Sequence, residues 1–135
     1  MTAYIHKVQY YETDKMGITH HSNYPRFMEE ARIAFLKDIG WGYDKLESEG
    51  LSSPVTKISV DYKKSTTFAN LIEIEIFVLD ISPVRLTFKY IMKVGEVVVA
   101  TAESEHCFLD NGKILNLKKG YPELYTALSN LKREF

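Results

Sequence analysis

Ser22-Asn23-Tyr24-Pro25-Arg26-Phe27-Met28-Glu29-Glu30-Ala31-Arg32-Ile33-Ala34-Phe35-Leu36-Lys37-Asp38-Ile39 is the long stretch of this chain that reads as a helix. Tyr24, Phe27, Met28, Ala31, Ala34 and Phe35 recur at three- and four-residue steps, while Arg26, Glu29, Glu30, Lys37 and Asp38 occupy other faces. Ile33, Leu36 and Ile39 widen the apolar arc, which predicts a helix covered on most of its sides. Ser22 or Asn23 is expected to cap its start, Pro25 is tolerated in the first turn, and Gly40 and Gly42 stop it.

On both sides of this helix the apolar period is two. Tyr4 to Tyr11 reads as a strand with Tyr4, His6, Val8 and Tyr10 on one face. After Gly50-Leu51-Ser52-Ser53-Pro54, read as a loop, alternation returns at Ile58/Val60/Tyr62, at Ile72/Ile74/Ile76/Val78 and at Leu86/Phe88/Tyr90/Met92. It ends with Val98, Ala100 and Ala102, a face that continues to Phe108. Ser82-Pro83 and Gly95 separate consecutive runs closely enough for antiparallel hairpins. Pro122 to about Glu134 reads as a short amphipathic helix. One long helix for about five strands predicts an α+β architecture: a curved antiparallel five-stranded sheet wrapped around a long central helix, with a short C-terminal helix. The exposed sheet edge and outer face favour association, so a homodimer or homotetramer is expected.

Composition limits what such a domain can do. The 135 residues carry no repeat and no Pro/Gly/Ser linker, so a single domain over residues 1–135 is expected. With 17 Lys+Arg against 18 Asp+Glu the formal charge is -1, which argues against nucleic acid as a partner. One cysteine, Cys107, excludes an intrachain disulfide and a Cys-rich zinc site. The apolar runs are too short to span a membrane and the first residues do not read as a signal peptide, so a cytoplasmic location is expected.

Chemistry is concentrated in the loop before the helix, which combines Asp14, Gly17, His20 and His21 with a helix start. Unpaired backbone N–H groups at a helix start suit a developing oxyanion. A carboxylate beside them can act as general base toward water or attack an acyl carbon. Taken one by one, Asp14 and Gly17 are equally explained as turn residues, and Ser22 as a cap.

The whole string Tyr10-Tyr11-Glu12-Thr13-Asp14-Lys15-Met16-Gly17-Ile18-Thr19-His20-His21-Ser22-Asn23-Tyr24, followed by Phe27-Met28-Glu29-Glu30-Ala31-Arg32, goes further. It resembles the hotdog-fold acyl-CoA thioesterases of the 4-hydroxybenzoyl-CoA thioesterase type, in particular the YbgC-like branch. The resemblance extends over the Ile58–Tyr62 strand, the Arg85-x-x-Phe88-x-Tyr90 strand and the Pro122 helix. It implies a sheet wrapped round a central helix and hydrolysis of an acyl-CoA to carboxylate and free CoA. Asp14 matches the catalytic carboxylate, as nucleophile or general base. His21 marks the helix start whose backbone amide polarises the thioester carbonyl, with its side chain as a possible aid. Tyr10 and Tyr24 match aromatic positions near the acyl group, with Phe27 and Met28 beside them, and Gly17 turns the loop back. Gln9 stands where many relatives carry Arg, and Pro25 where an aliphatic or aromatic residue is usual.

Lys63, Lys64, Arg85 and Lys89 are the cations expected to be available to CoA phosphates. No cofactor is called for, CoA being part of the substrate; an acyl-carrier protein is the other thioester donor to consider. No metal is expected: adjacent helical side chains such as His20 and His21 diverge by about 100 degrees. Glu29 and Glu30 read as a solvated face or as ion pairs with Arg26 or Arg32, and His106-Cys107 as packing. Neither a serine-hydrolase elbow nor a phosphate-binding Walker loop is present. Two other functions fit the same frame, an enoyl-acyl hydratase or dehydratase and a non-catalytic acyl-CoA or acyl-carrier binding module. A His-Phe-Pro-type segment expected of the former is missing, and Asp14 with His21 speaks against the latter.

Overall fold

The computed structural model describes residues 3–135. Strand β1 (Tyr4–Lys7) is followed by two 3-10 turns, Tyr10–Glu12 and His21–Asn23, and by helix α1 (Tyr24–Asp38). Then come α2 (Tyr43–Ser48), β2 (Leu51–Ser52), β3 (Val55–Tyr62), β4 (Leu71–Ile81), β5 (Arg85–Val94) and β6 (Val97–Cys107). Strands β7 (Leu109–Asp110) and β8 (Lys113–Ile114) and helices α3 (Leu117–Gly120) and α4 (Pro122–Asn130) complete the chain. The main sheet has the order β1-β4-β5-β6-β3 and is antiparallel throughout. Both expected hairpins form, β4 to β5 and β5 to β6. The expected α+β arrangement of five strands around one long helix is therefore what the chain adopts.

Helix α1 lies on one face of this sheet. Tyr24, Phe27, Met28, Ala31, Phe35 and Leu36 are buried against Ile72, Ile74, Val78, Leu86, Phe88, Tyr90 and Met92. The helix ends as expected at Gly40, whose φ of +87° lets Trp41 N–H reach back to the Leu36 carbonyl at 2.8 Å. Cover is incomplete, because Ile33 stays 38% exposed.

Several boundaries differ from the sequence reading. The first strand stops at Lys7, because the Glu12 carboxylate takes Gln9 N–H at 2.7 Å and turns the chain. Tyr10 is thereby thrown outward. Neither Ser22 nor Asn23 caps α1; the His20 ring accepts Ser22 N–H instead, and the Asn23 amide donates to the Glu12 carbonyl. Helix α2 and the small β2-β7-β8 sheet occupy segments too short for a periodic pattern. The last helix ends at Asn130, and the tail beyond it runs along β4: Lys132 bridges Val78 in parallel, and Arg133 N–H donates to the Val78 carbonyl.

A polar chain crosses the core. Arg32 donates to the Tyr90 hydroxyl (3.1 Å), Tyr90 to Ser104 (2.5 Å), and Ser104 to His106 Nε2 (2.8 Å). His106 Nδ1–H then donates to the Ser53 carbonyl (3.2 Å). Arg32 thus meets the Tyr90 hydroxyl, where an ion pair with Glu29 or Glu30 was one of the expected alternatives. Burial, and then the nearby guanidinium, hold His106 down at about 4, against an ordinary 6.5. Between those values the unfolded chain takes up a proton that the folded chain refuses. Stability is therefore full above pH 6.5 and is lost as pH falls through this window. A loss on the order of 3 kcal/mol is expected by pH 4. Urea unfolding measured at pH 7 and pH 4.5 checks it, with His106→Gln flattening the difference.

Candidate active site

The loop carrying Asp14 is a small hairpin. Asp14 N–H donates to the Ile18 carbonyl (2.9 Å), Gly17 N–H to the Asp14 carbonyl (3.0 Å), and Thr13 bridges Thr19. Gly17 has φ +79°, the left-handed residue that follows a tight turn in a three-residue hairpin loop. Asp14 Oδ1 accepts Met16 N–H at 2.8 Å, whereas Oδ2 makes no hydrogen bond among the described residues. One oxygen thus fixes the turn and the other is left for chemistry.

Opposite this hairpin stands the His21–Asn23 turn that leads into α1. Asp14, His21 and Tyr24, together with Met16, Ile18, Thr19, Tyr62, Lys63, Lys64 and Ser65, line one cavity of about 250 Å³. Buried Thr66 ties its floor: its hydroxyl lies 2.6 Å from Thr19 Oγ1 and 3.0 Å from the Tyr24 hydroxyl. Tyr62 donates to the His21 carbonyl (2.9 Å) and stands edge-on to the Tyr24 ring at 5.0 Å. Burial pushes the Tyr24 and Tyr62 hydroxyls up.

Of the residues expected from the sequence, the fold gathers Asp14, His21, Tyr24, Lys63 and Lys64 at this cavity, with Gly17 in its hairpin. The others are placed apart. Phe27 and Met28 are wholly buried between helix and sheet. Tyr10 is 77% exposed and packs edge-on against Phe68. Arg85 pairs with Glu105 at 3.3 Å, and Lys89 sits 5.3 Å over the Phe135 ring; both alternate with the buried residues of β5 and so face away from α1. Tyr62 and Thr66 were not expected. The β3 alternation that ends at Tyr62 was visible, but its position over the loop was not. His20 and His21 do not diverge: in the 3-10 turn their rings stack at 4.3 Å. Among the described residues no three His, Cys, Asp or Glu side chains converge as metal ligands, and no helix is long and apolar enough to cross a membrane.

Residues 8–127 match the thioesterase-like superfamily. The chain belongs to that superfamily. A protein of Aquifex aeolicus (strain VF5), provisionally named an esterase, is 39% identical over 116 residues, covering 86% of this chain and 91% of its own. The acyl-CoA thioesterase YbgC of Haemophilus influenzae is 24% identical over 109 residues, 80% of each chain. Among solved structures, the DHNA-CoA thioesterase of Staphylococcus aureus superposes with a TM-score of 0.90 at 29% identity, covering 96% of this chain and 89% of that one. The hotdog fold and thioester-hydrolase class implied by the resemblance hold for this superfamily member.

Proposed function

We propose that this thioesterase-like protein hydrolyses an acyl-CoA to a carboxylate and free CoA, with Asp14 as its reactive carboxylate. The observation that carries this reading is the one cavity lined by both Asp14 and His21, where the turn into α1 begins, with Lys63 and Lys64 on its wall. His20 occupies the amides of Ser22 and Asn23 through its ring and its carbonyl. His21 N–H is the amide we assign to the oxyanion. As general base, Asp14 takes a proton from water, the water oxygen adds to the thioester carbon, and the tetrahedral intermediate expels CoA as thiolate, which regains the proton. As nucleophile, Asp14 forms a mixed anhydride with release of CoA, and water then cleaves the anhydride. No cofactor is required by either route. Lys63 and Lys64 are the cations we assign to CoA phosphates; Arg85 and Lys89 point away from the cavity.

A panel of acyl-CoA thioesters, with acyl-carrier thioesters in parallel, tests the reading by thiol release. Turnover on one or more members is expected, and failure on all of them overturns it in favour of a binding module. In 18O-water under single-turnover conditions, label in Asp14 marks the anhydride route and label in the product alone marks the general-base route. Val55, Ile58 and Tyr62 leave β3 with an exposed apolar surface beside the cavity. We infer a homodimer or homotetramer that covers it.

A further inference from the structure

We propose that His6 is a positioning residue for the reaction, a clamp that joins the Asp14 loop to the central helix. This rests on the thioesterase reading above. His6 lies on β1, buried, with Phe27 stacked against its ring at 4.0 Å. Its Nε2 is 2.8 Å from Glu12 Oε1 and its Nδ1 is 3.1 Å from Glu30 Oε1. Glu12 Oε1 already accepts Gln9 N–H (2.7 Å), and Glu30 Oε1 already accepts the Tyr4 hydroxyl (2.6 Å). The Tyr4 hydroxyl is pushed up to about 12, first by that bond to Glu30. The clamp we propose uses both ring nitrogens as donors, one toward each of these oxygens. So placed, the ring ties a loop carboxylate to a helix carboxylate.

Glu12 is where the two halves of the site meet. Its carbonyl accepts His20 N–H (2.8 Å) and the Asn23 amide (2.9 Å), which flank His21. Asp14 follows two residues later in the chain. Holding Glu12 to His6, and His6 to Glu30 on α1, fixes how far the reactive carboxylate stands from the His21 amide. A 1 Å error in such a distance can cost up to about a hundredfold in rate.

The experiment compares His6→Phe, which keeps a ring against Phe27 but has no donors, with Glu30→Gln, which keeps an acceptor for Nδ1. In His6→Phe, kcat is expected to fall about tenfold to a hundredfold with little change in KM. Hydrogen exchange at the His20 and Gln9 amides is expected to accelerate while amides of β5 stay protected. Glu30→Gln is expected to retain most of the rate. Nitrogen-15 spectra of the wild-type His6 ring are expected to show N–H at both positions. A bare ring nitrogen, or an unchanged kcat in a folded His6→Phe, overturns the clamp. If His6→Phe does not fold, Glu30→Leu takes its place, and an unchanged kcat there counts equally against it. The ring spectrum and amide exchange need no substrate, so they judge the clamp even where the acyl-CoA panel fails.

Discussion

Asp14→Asn is expected to lower kcat by about 10²- to 10⁴-fold, the range for loss of a positioned acid–base group. The substitution is nearly isosteric and leaves Oδ1 able to accept Met16 N–H, so the hairpin that carries residue 14 keeps its turn. Gly17 and Ile18 are held through main-chain atoms of residue 14 and are untouched. Substrate affinity and thermal midpoint should therefore stay close to wild type, and the loss should fall on turnover alone. Steady-state thiol release together with a thermal melt provides the measurement. Activity within tenfold of wild type would remove Asp14 from the mechanism.

The second large effect is expected in stability. Phe27 is 0% exposed, stacks on His6 and tilts against Tyr24 at 5.4 Å. Phe27→Ala leaves a cavity between helix and sheet and should cost about 3–5 kcal/mol. That is a large part of the 5–15 kcal/mol that holds a domain of this kind. Urea unfolding at pH 7 measures it. A variant whose KM rises with an unchanged unfolding midpoint would instead return Phe27 to the wall of the acyl pocket.

These two residues illustrate how far the sequence could be read. Asp14 could be singled out because a motif resemblance ties it to a helix start a few residues on, and the fold keeps Asp14 and His21 at one cavity. Phe27 was placed near the substrate because it follows Tyr24 by three residues, on the same helical face. That face meets the sheet, and only its first turn reaches the cavity. The same limit applies to Tyr62 and Thr66, whose roles depend on the β3–β4 connection passing over the Asp14 hairpin at the Ile18–Thr67 bridge. Arg32 is another case. A charged residue on an amphipathic helix is ordinarily assigned to solvent or to an ion pair, yet here Arg32 donates to Tyr90 at the head of a chain of neutral groups, Ser104 and His106, through the core, while its Nε has no hydrogen-bond partner among the described residues. Helical period placed α1, and alternation placed β3 to β6. Long-range pairing, which periodicity does not encode, decided what lay over the site.

The tail along β4 has a consequence for how the molecule can grow. Among the described residues β1 pairs with Leu71 to Ile74 of β4, and the strand beyond Ile74 is left to other partners. Lys132 and Arg133 fill the gap at Val78, Lys132 reaches Asp80 at 3.3 Å, and the Arg133 guanidinium lies 4.8 Å from the Phe77 ring and 5.0 Å from Phe135. With β4 partly covered from within, the long unpaired border among the described residues is the one along β3. The C-terminal residues thus act as a partial cap on the β4 side of the sheet, so that strand pairing with any further chain is directed toward β3.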